Sequence, residues 1–174
     1  MDAILDTFSA ILRIAQIESG NRRSGFQRFC LSHLVADVCE TFAPALEEDG
    51  RTLCHAIEPN LWIQGDQELL TLSLSNLLEN AATHTPPNSL ITVSLRRAGE
   101  SVEMGVSDDG PGVPEGERKR IFQRFYRLES SRTAPGNGLG LSIVAAVAEL
   151  HVARIEASDN SPGLRIAMTF PAAA

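Results

Sequence analysis

Two carboxamides, Asn76 and Asn80, stand one helical turn apart in Asn76-Leu-Leu-Glu-Asn80 and share one face of any helix they occupy. That face otherwise carries core residues, where an amide without partners is costly. Ligand oxygens or the water shell of a metal ion can satisfy such amides. Met alone, the pair reads first as amides satisfied at a helix surface or within a core. Asp108 ends an alternating pattern and is followed by Asp109, Gly110, Pro111 and Gly112. A carboxylate at a buried strand end accepts hydrogen bonds well, and glycines let backbone approach a flat ring closely. The same residues also make a good generic turn. Gly136-Asn-Gly138-Leu139-Gly140 opens an apolar helical stretch, where free N–H groups and the positive dipole end favour an anion such as phosphate. Its spacing is not Gly-x-Gly-x-x-Gly and no Lys-Ser/Thr follows, so dinucleotide and P-loop readings fail.

The elements that must position these groups are legible from periodicity. Ile4, Leu5, Phe8, Ile11, Leu12 and Ala15 recur at helical spacing and stop at Ser19-Gly20-Asn21. Residues 22–25 read as a linker and 26–31 as a short strand. Ser32 is a plausible N-cap for a helix through Leu34, Val35, Val38, Phe42 and Leu46, with Pro44 predicting a bend or late break. Extended segments follow at 51–57 and 61–63. Asp66 caps a helix carrying Leu69, Leu70, Leu74, Leu77 and Leu78, which Pro86 and Pro87 stop. Ile91, Val93 and Leu95, then Val102, Met104 and Val106, alternate around Ala98-Gly99 as a hairpin; 139–150 is helical and 164–170 alternates again. Helices on one face of a mostly antiparallel mixed sheet form a two-layer α+β sandwich, with an additional N-terminal helix.

Bulk properties narrow the class. The chain has 174 residues, enough for one sizeable core, with 43% hydrophobic content and a net charge of −7. That charge argues against a nucleic-acid partner. Cys30, Cys39 and Cys54 fit no zinc spacing, and Cys39 reads as a buried thiol consistent with a reducing, cytoplasmic compartment. No apolar run is long enough to cross a bilayer.

Together the three boxes, in this order, resemble the N, G1 and G2 boxes of the GHKL ATP-binding fold of sensor histidine kinases. Ile121-Phe-Gln-Arg-Phe-Tyr-Arg127 resembles that family's F box. The resemblance implies ATP and Mg²⁺ as ligands. It makes Asn80 the metal ligand, Asp108 the reader of adenine with Gly110 and Gly112 letting backbone approach the base, and Gly136, Gly138, Leu139 and Gly140 the phosphate cradle. Asn76 occupies the place where hydrolytic members carry a glutamate base; an amide cannot take a proton from water, which favours phosphoryl transfer, although Glu79 keeps hydrolysis in play. Arg127, and less so Arg124, are the expected cations for the terminal phosphate, and His84 is placed to pack against the nucleotide. Phe122, Phe125 and Tyr126, at helical spacing, read as core or docking residues. The segment 130–137, with Arg132, reads as a lid that orders on nucleotide. His33 and His151 read as surface or half-buried.

By the same resemblance residues 1–21 form the second helix of a dimerisation hairpin and 26–174 the catalytic ATP-binding domain. The first, histidine-bearing helix is not in the sequence, and none of His33, His55, His84 or His151 sits in a His-Glu-x-x-x-Pro context. The expectation is a fragment of a longer sensor, attached to a membrane only through other parts of its parent. Its expected partners are the histidine-containing dimerisation domain, a response regulator and a second copy through the N-terminal helix. Thr83 stands where many relatives carry a lysine or arginine. The competing readings are a GHKL ATPase, an anti-sigma-type serine kinase and a degenerate nucleotide-binding scaffold.

Overall fold

The computed structural model describes residues 2–131, 134 and 136–171. Among the described residues there are four α-helices, α1 (Asp2–Glu18), α2 (Leu31–Glu48), α3 (Gln67–His84) and α4 (Gly140–Leu150). The strands are β1 (Gln27–Cys30), β2 (Thr52–Ile57), β3 (Trp62–Gly65), β4 (Leu90–Ala98), β5 (Ser101–Asp108), β6 (Arg154–Asp159) and β7 (Leu164–Pro171). Five of them form a sheet in the order β2-β4-β5-β7-β6, while β1 and β3 pair separately. Among the described residues β2 pairs with β4 in parallel, and the other pairings are antiparallel.

Alternation along the strands decides the layering. Ile91, Val93 and Leu95 of β4, Val102 and Met104 of β5, and Ile166, Met168 and Phe170 of β7 are buried beneath the helices. Leu70, Leu74, Leu77 and Leu78 of α3 meet them, flanked by Leu31 and Val35 of α2 and Val144 and Val147 of α4. Each such side chain contributes about 1.5–3 kcal/mol on burial. The opposite face is polar, with Glu103 bridging Arg96 and Arg165 at 2.8 Å each. The expected two-layer sandwich is therefore the observed one.

Local expectations fare unevenly. Asp66 caps α3, its Oδ1 accepting from the Leu69 N–H at 3.0 Å. Cys39 is buried, and burial pushes its thiol up to about 11. Ser32, by contrast, is not an N-cap. Cys30 holds that position, and the Ser32 hydroxyl donates to Glu58 O at 2.7 Å while accepting from Leu61 N–H at 3.0 Å, pinning the β2–β3 turn. Pro44 does not break α2, which runs on to Glu48. The carbonyl that its missing N–H releases belongs to exposed Glu40, where water can serve it. The predicted linker is a 3-10 turn, Asn21–Gly25. Strand β6 escaped the pattern because only Ile155 among its residues is strongly apolar and it lies at the sheet edge. In the F-box stretch only Arg120–Phe122 is helical, of the 3-10 type; Phe125 lies at φ 61° and is exposed, so the helical reading there is corrected.

His151 also departs from expectation. It is buried at the end of α4, with Nδ1 donating to Val147 O at 2.8 Å and Nε2 accepting from Asp66 N–H at 3.0 Å. Phe26 stacks on its ring at 4.6 Å. A side chain at Gly65 would lie 2.6 Å from that ring, so the close approach requires glycine.

Candidate functional site

A cavity of about 550 Å³ opens between α3, the end of β5, the F-box stretch and the start of α4. That volume lies in the range of small-ligand sites. Helix α3 contributes Asn76, Glu79, Asn80, Thr83 and His84, all from its last three turns. Leu74, Leu77, Leu78 and Ala81 anchor the helix in the core, which fixes the direction of the polar stripe between them.

The two asparagines are not equivalent. Asn76 Nδ2 donates to Leu72 O at 3.0 Å, so one of its two amide donors is met by its own helix. Its Oδ1 faces α4, where a Cβ at Gly140 would sit 3.1 Å away. Asn80 is half-buried, and its side chain makes no hydrogen bond to the described residues. Its carbonyl oxygen is a hard donor open to the cavity, which suits a Mg²⁺ ion that takes one or two protein ligands and completes its shell with phosphate and water. Among the described residues no cluster of three acidic, thiol or imidazole groups offers a self-contained metal cage.

Asp108 lines the cavity from the end of β5 and is 7% exposed. Its Oδ1 accepts the Gly110 N–H at 2.9 Å and the Leu164 N–H at 3.4 Å, leaving Oδ2 without a partner among the described residues. Burial raises its pKa above the ordinary aspartate value, against the lowering pull of those two backbone N–H groups and of His84. His84, at the rim, is held below the ordinary imidazole range, first by desolvation and then by the charge of Arg127, with Asp108 opposing.

Gly136, Gly138, Leu139 and Gly140 all border the cavity. Gly138 has φ 72°, and a Cβ there would come 3.0 Å from the Phe125 backbone, so both conformation and space demand glycine. The Asn137 side chain accepts from Leu139 N–H at 3.1 Å, and no side chain caps α4. The first N–H groups of that helix are thus available to an anion. Arg127 lines the cavity, its guanidinium held by the carbonyls of Ala134 and Gly136, the latter at 2.9 Å.

Two candidates lie elsewhere. Gly110 sits behind Asp108, packed against Thr85 and the His84 carbonyl, and acts through its N–H rather than as wall. Arg124 is turned out to α1, where it pairs with Glu18. The lid expectation falls partly on Arg132, Thr133 and Pro135, which lie outside the described residues. Motif reading assigned no role to Ile121, though it opens the F-box stretch, and missed the rest of the apolar wall, Val113, Ile143 and Leu164. It also missed Ala10 of α1, which no local pattern marks.

This fold and site define a nucleotide-binding α+β module. The histidine kinase-, DNA gyrase B-, and HSP90-like ATPase family matches residues 65–174, and the chain belongs to that family. Over 100 residues it is 45% identical to the signal transduction histidine-protein kinase/phosphatase MprB of Mycolicibacterium paratuberculosis, covering 57% of this chain and 19% of that protein. The sensor-like histidine kinase SenX3 of Mycobacterium tuberculosis is 29% identical over 170 residues, 96% of this chain and 42% of that protein. The ATP-binding domain of PrrB from Mycobacterium tuberculosis superposes with a TM-score of 0.69 at 26% identity, covering 86% of this chain and 98% of that one. The chain therefore corresponds to the histidine kinase ATPase domain, and it spans less than half the length of the curated relatives.

Proposed function

We propose that this chain holds Mg-ATP so that a neutral histidine imidazole on a separate helical domain attacks the γ-phosphorus in line. The supporting observation is that amides of α3, the open carboxylate oxygen of Asp108 and the uncapped start of α4 converge on one cavity. Asp108 Oδ2 would accept the adenine amine, with Val113, Ile143 and Leu164 excluding water around the base. Asn80 would hold Mg²⁺, which when bound neutralises the triphosphate oxygens. Gly138 and Gly140 would offer backbone N–H groups, and Arg127 the positive charge that Thr83 does not supply. As the new P–N bond forms, the bond to the ADP oxygen breaks; the protein's part is positioning and charge neutralisation. The phosphoryl group would then pass to an aspartate of a response regulator.

The same reading makes 1–21 the second helix of a dimerisation hairpin and 26–174 the catalytic domain. Ile14 and Ile17 of α1 are buried against the domain, whereas Ile4, Leu5, Phe8 and Leu12 are exposed, which supports a helical partner from the hairpin or a second copy. No helix among the described residues is long and apolar enough to cross a membrane. A cytoplasmic position, as part of a membrane-bound parent, is proposed from the relatives. Hydrolysis is the second reading, since Glu79 borders the cavity beside Asn80.

Incubating the chain with γ-labelled ATP and a separately supplied histidine hairpin tests the proposal. Acid-labile phosphate on the hairpin, with little label on the chain itself, is the expected result. Steady release of free phosphate without an acceptor favours hydrolysis, and acid-stable phosphoserine on a partner favours a serine kinase.

A further inference from the structure

The turn between β6 and β7 lies behind Asp108, and nothing in the boxes announces it. Asn160 Nδ2 donates to the Asp108 backbone carbonyl at 2.7 Å, 52 residues away in sequence. Gly163, at φ 107°, passes so close that a Cβ would stand 1.8 Å from that same carbonyl oxygen and 3.0 Å from Asp108 Oδ1. The Gly163 carbonyl in turn limits Gly112, whose hypothetical Cβ would meet it at 2.8 Å. The N–H of Leu164, next in the chain, is one of the two donors on Oδ1. This turn thus touches the strand end, its carboxylate and the following glycine loop at once.

The direction of a carboxylate at a strand end follows from its backbone carbonyl and from the donors on its inner oxygen. Asn160 grips the first, while Gly163 lets Leu164 reach the second. We propose that Asn160 and Gly163 are positioning residues that aim the outer Asp108 oxygen at the exocyclic amine of the base and so set the preference for adenine over a 6-oxo purine. A loosened turn would let Asp108 rotate, weakening the contact with an amine donor. It would barely affect a base with a carbonyl there, which gains nothing from a carboxylate.

This inference rests on the nucleotide reading of the cavity, and the experiment separates the two. Isothermal titration of the whole chain with Mg-ADP and with Mg-IDP gives the ratio of affinities for parent, Asn160→Ala and Asn160→Asp. The aspartate variant keeps the shape but replaces the donor with a charged acceptor that repels the Asp108 carbonyl. In both variants the preference for ADP is expected to shrink about five-fold, the scale of one neutral hydrogen bond, with IDP affinity held. A uniform loss of both affinities, or an unchanged ratio, would overturn the positioning role while leaving the pocket assignment intact. A parent that binds neither nucleotide would overturn both.

Discussion

At the scale of single residues, Asp108 makes the sharpest claim. Its inner oxygen is committed to the Gly110 and Leu164 N–H groups, so only the outer one is open to the cavity. Asparagine at this position would keep its carbonyl on those two donors and turn its NH₂ group outward. A donor would then face the adenine amine. Asp108→Asn should therefore weaken ATP binding by about ten-fold or more, since a hydrogen bond to a charged group is worth about 1.5–3 kcal/mol, and leave GTP little changed. Equal ATP affinity in parent and variant, by calorimetry, would remove Asp108 as the reader of the base. The aspartate was visible in the sequence because a strand pattern ended in an acid before two glycines. The partition of its two oxygens was not, since Leu164 comes from a distant hairpin.

At the scale of elements, α3 and α4 carry the two polar sides of the cavity, and buried His151 ties the N-terminus of α3 to the C-terminus of α4. Neutral imidazole serves both bonds, donating at Nδ1 and accepting at Nε2. Desolvation, the largest influence, lowers its pKa below the ordinary 6.5; the Val147 bond and Asp66 oppose it, and Arg23 adds to it. Well above pH 6.5 the ring is neutral whether folded or unfolded, and no penalty applies. As pH falls through that value the unfolded chain takes up a proton that the folded one refuses, so stability drops until the folded group protonates as well. His84 shifts in the same direction, so the parent alone does not isolate the effect. His151→Gln should flatten the loss of melting temperature between pH 6.5 and 5 relative to the parent. Parallel pH profiles for the two proteins would show that His151 is not the group responsible. Sequence read this histidine as surface or half-buried because the ring follows the last turn of α4; its full burial is created by Phe26 and Asp66 arriving from elsewhere.

At the scale of the whole molecule, the cavity joins segments from α1 to β7, so ligand binding should couple to global unfolding. Mg-ADP at one hundred times its dissociation constant should raise the unfolding free energy by about 2.7 kcal/mol. Thermal denaturation with increasing nucleotide checks this directly, and a midpoint that ignores saturating Mg-ADP would deny the cavity its ligand. What the sequence by itself determined is whatever local periodicity encodes. The layered sandwich, the α3 face with its asparagine pair, the strand end at Asp108 and the glycine-rich start of α4 all follow from patterns within some twenty residues. Only tertiary structure decided which groups actually meet. Arg127 borders the cavity while Arg124 pairs with Glu18, Gly110 supports the site from behind, and Asn160 grips the carbonyl of Asp108. The physical reason is that hydrophobic patterning specifies which face of an element is buried, whereas the partners of a polar group depend on how separate elements pack, information no single segment contains.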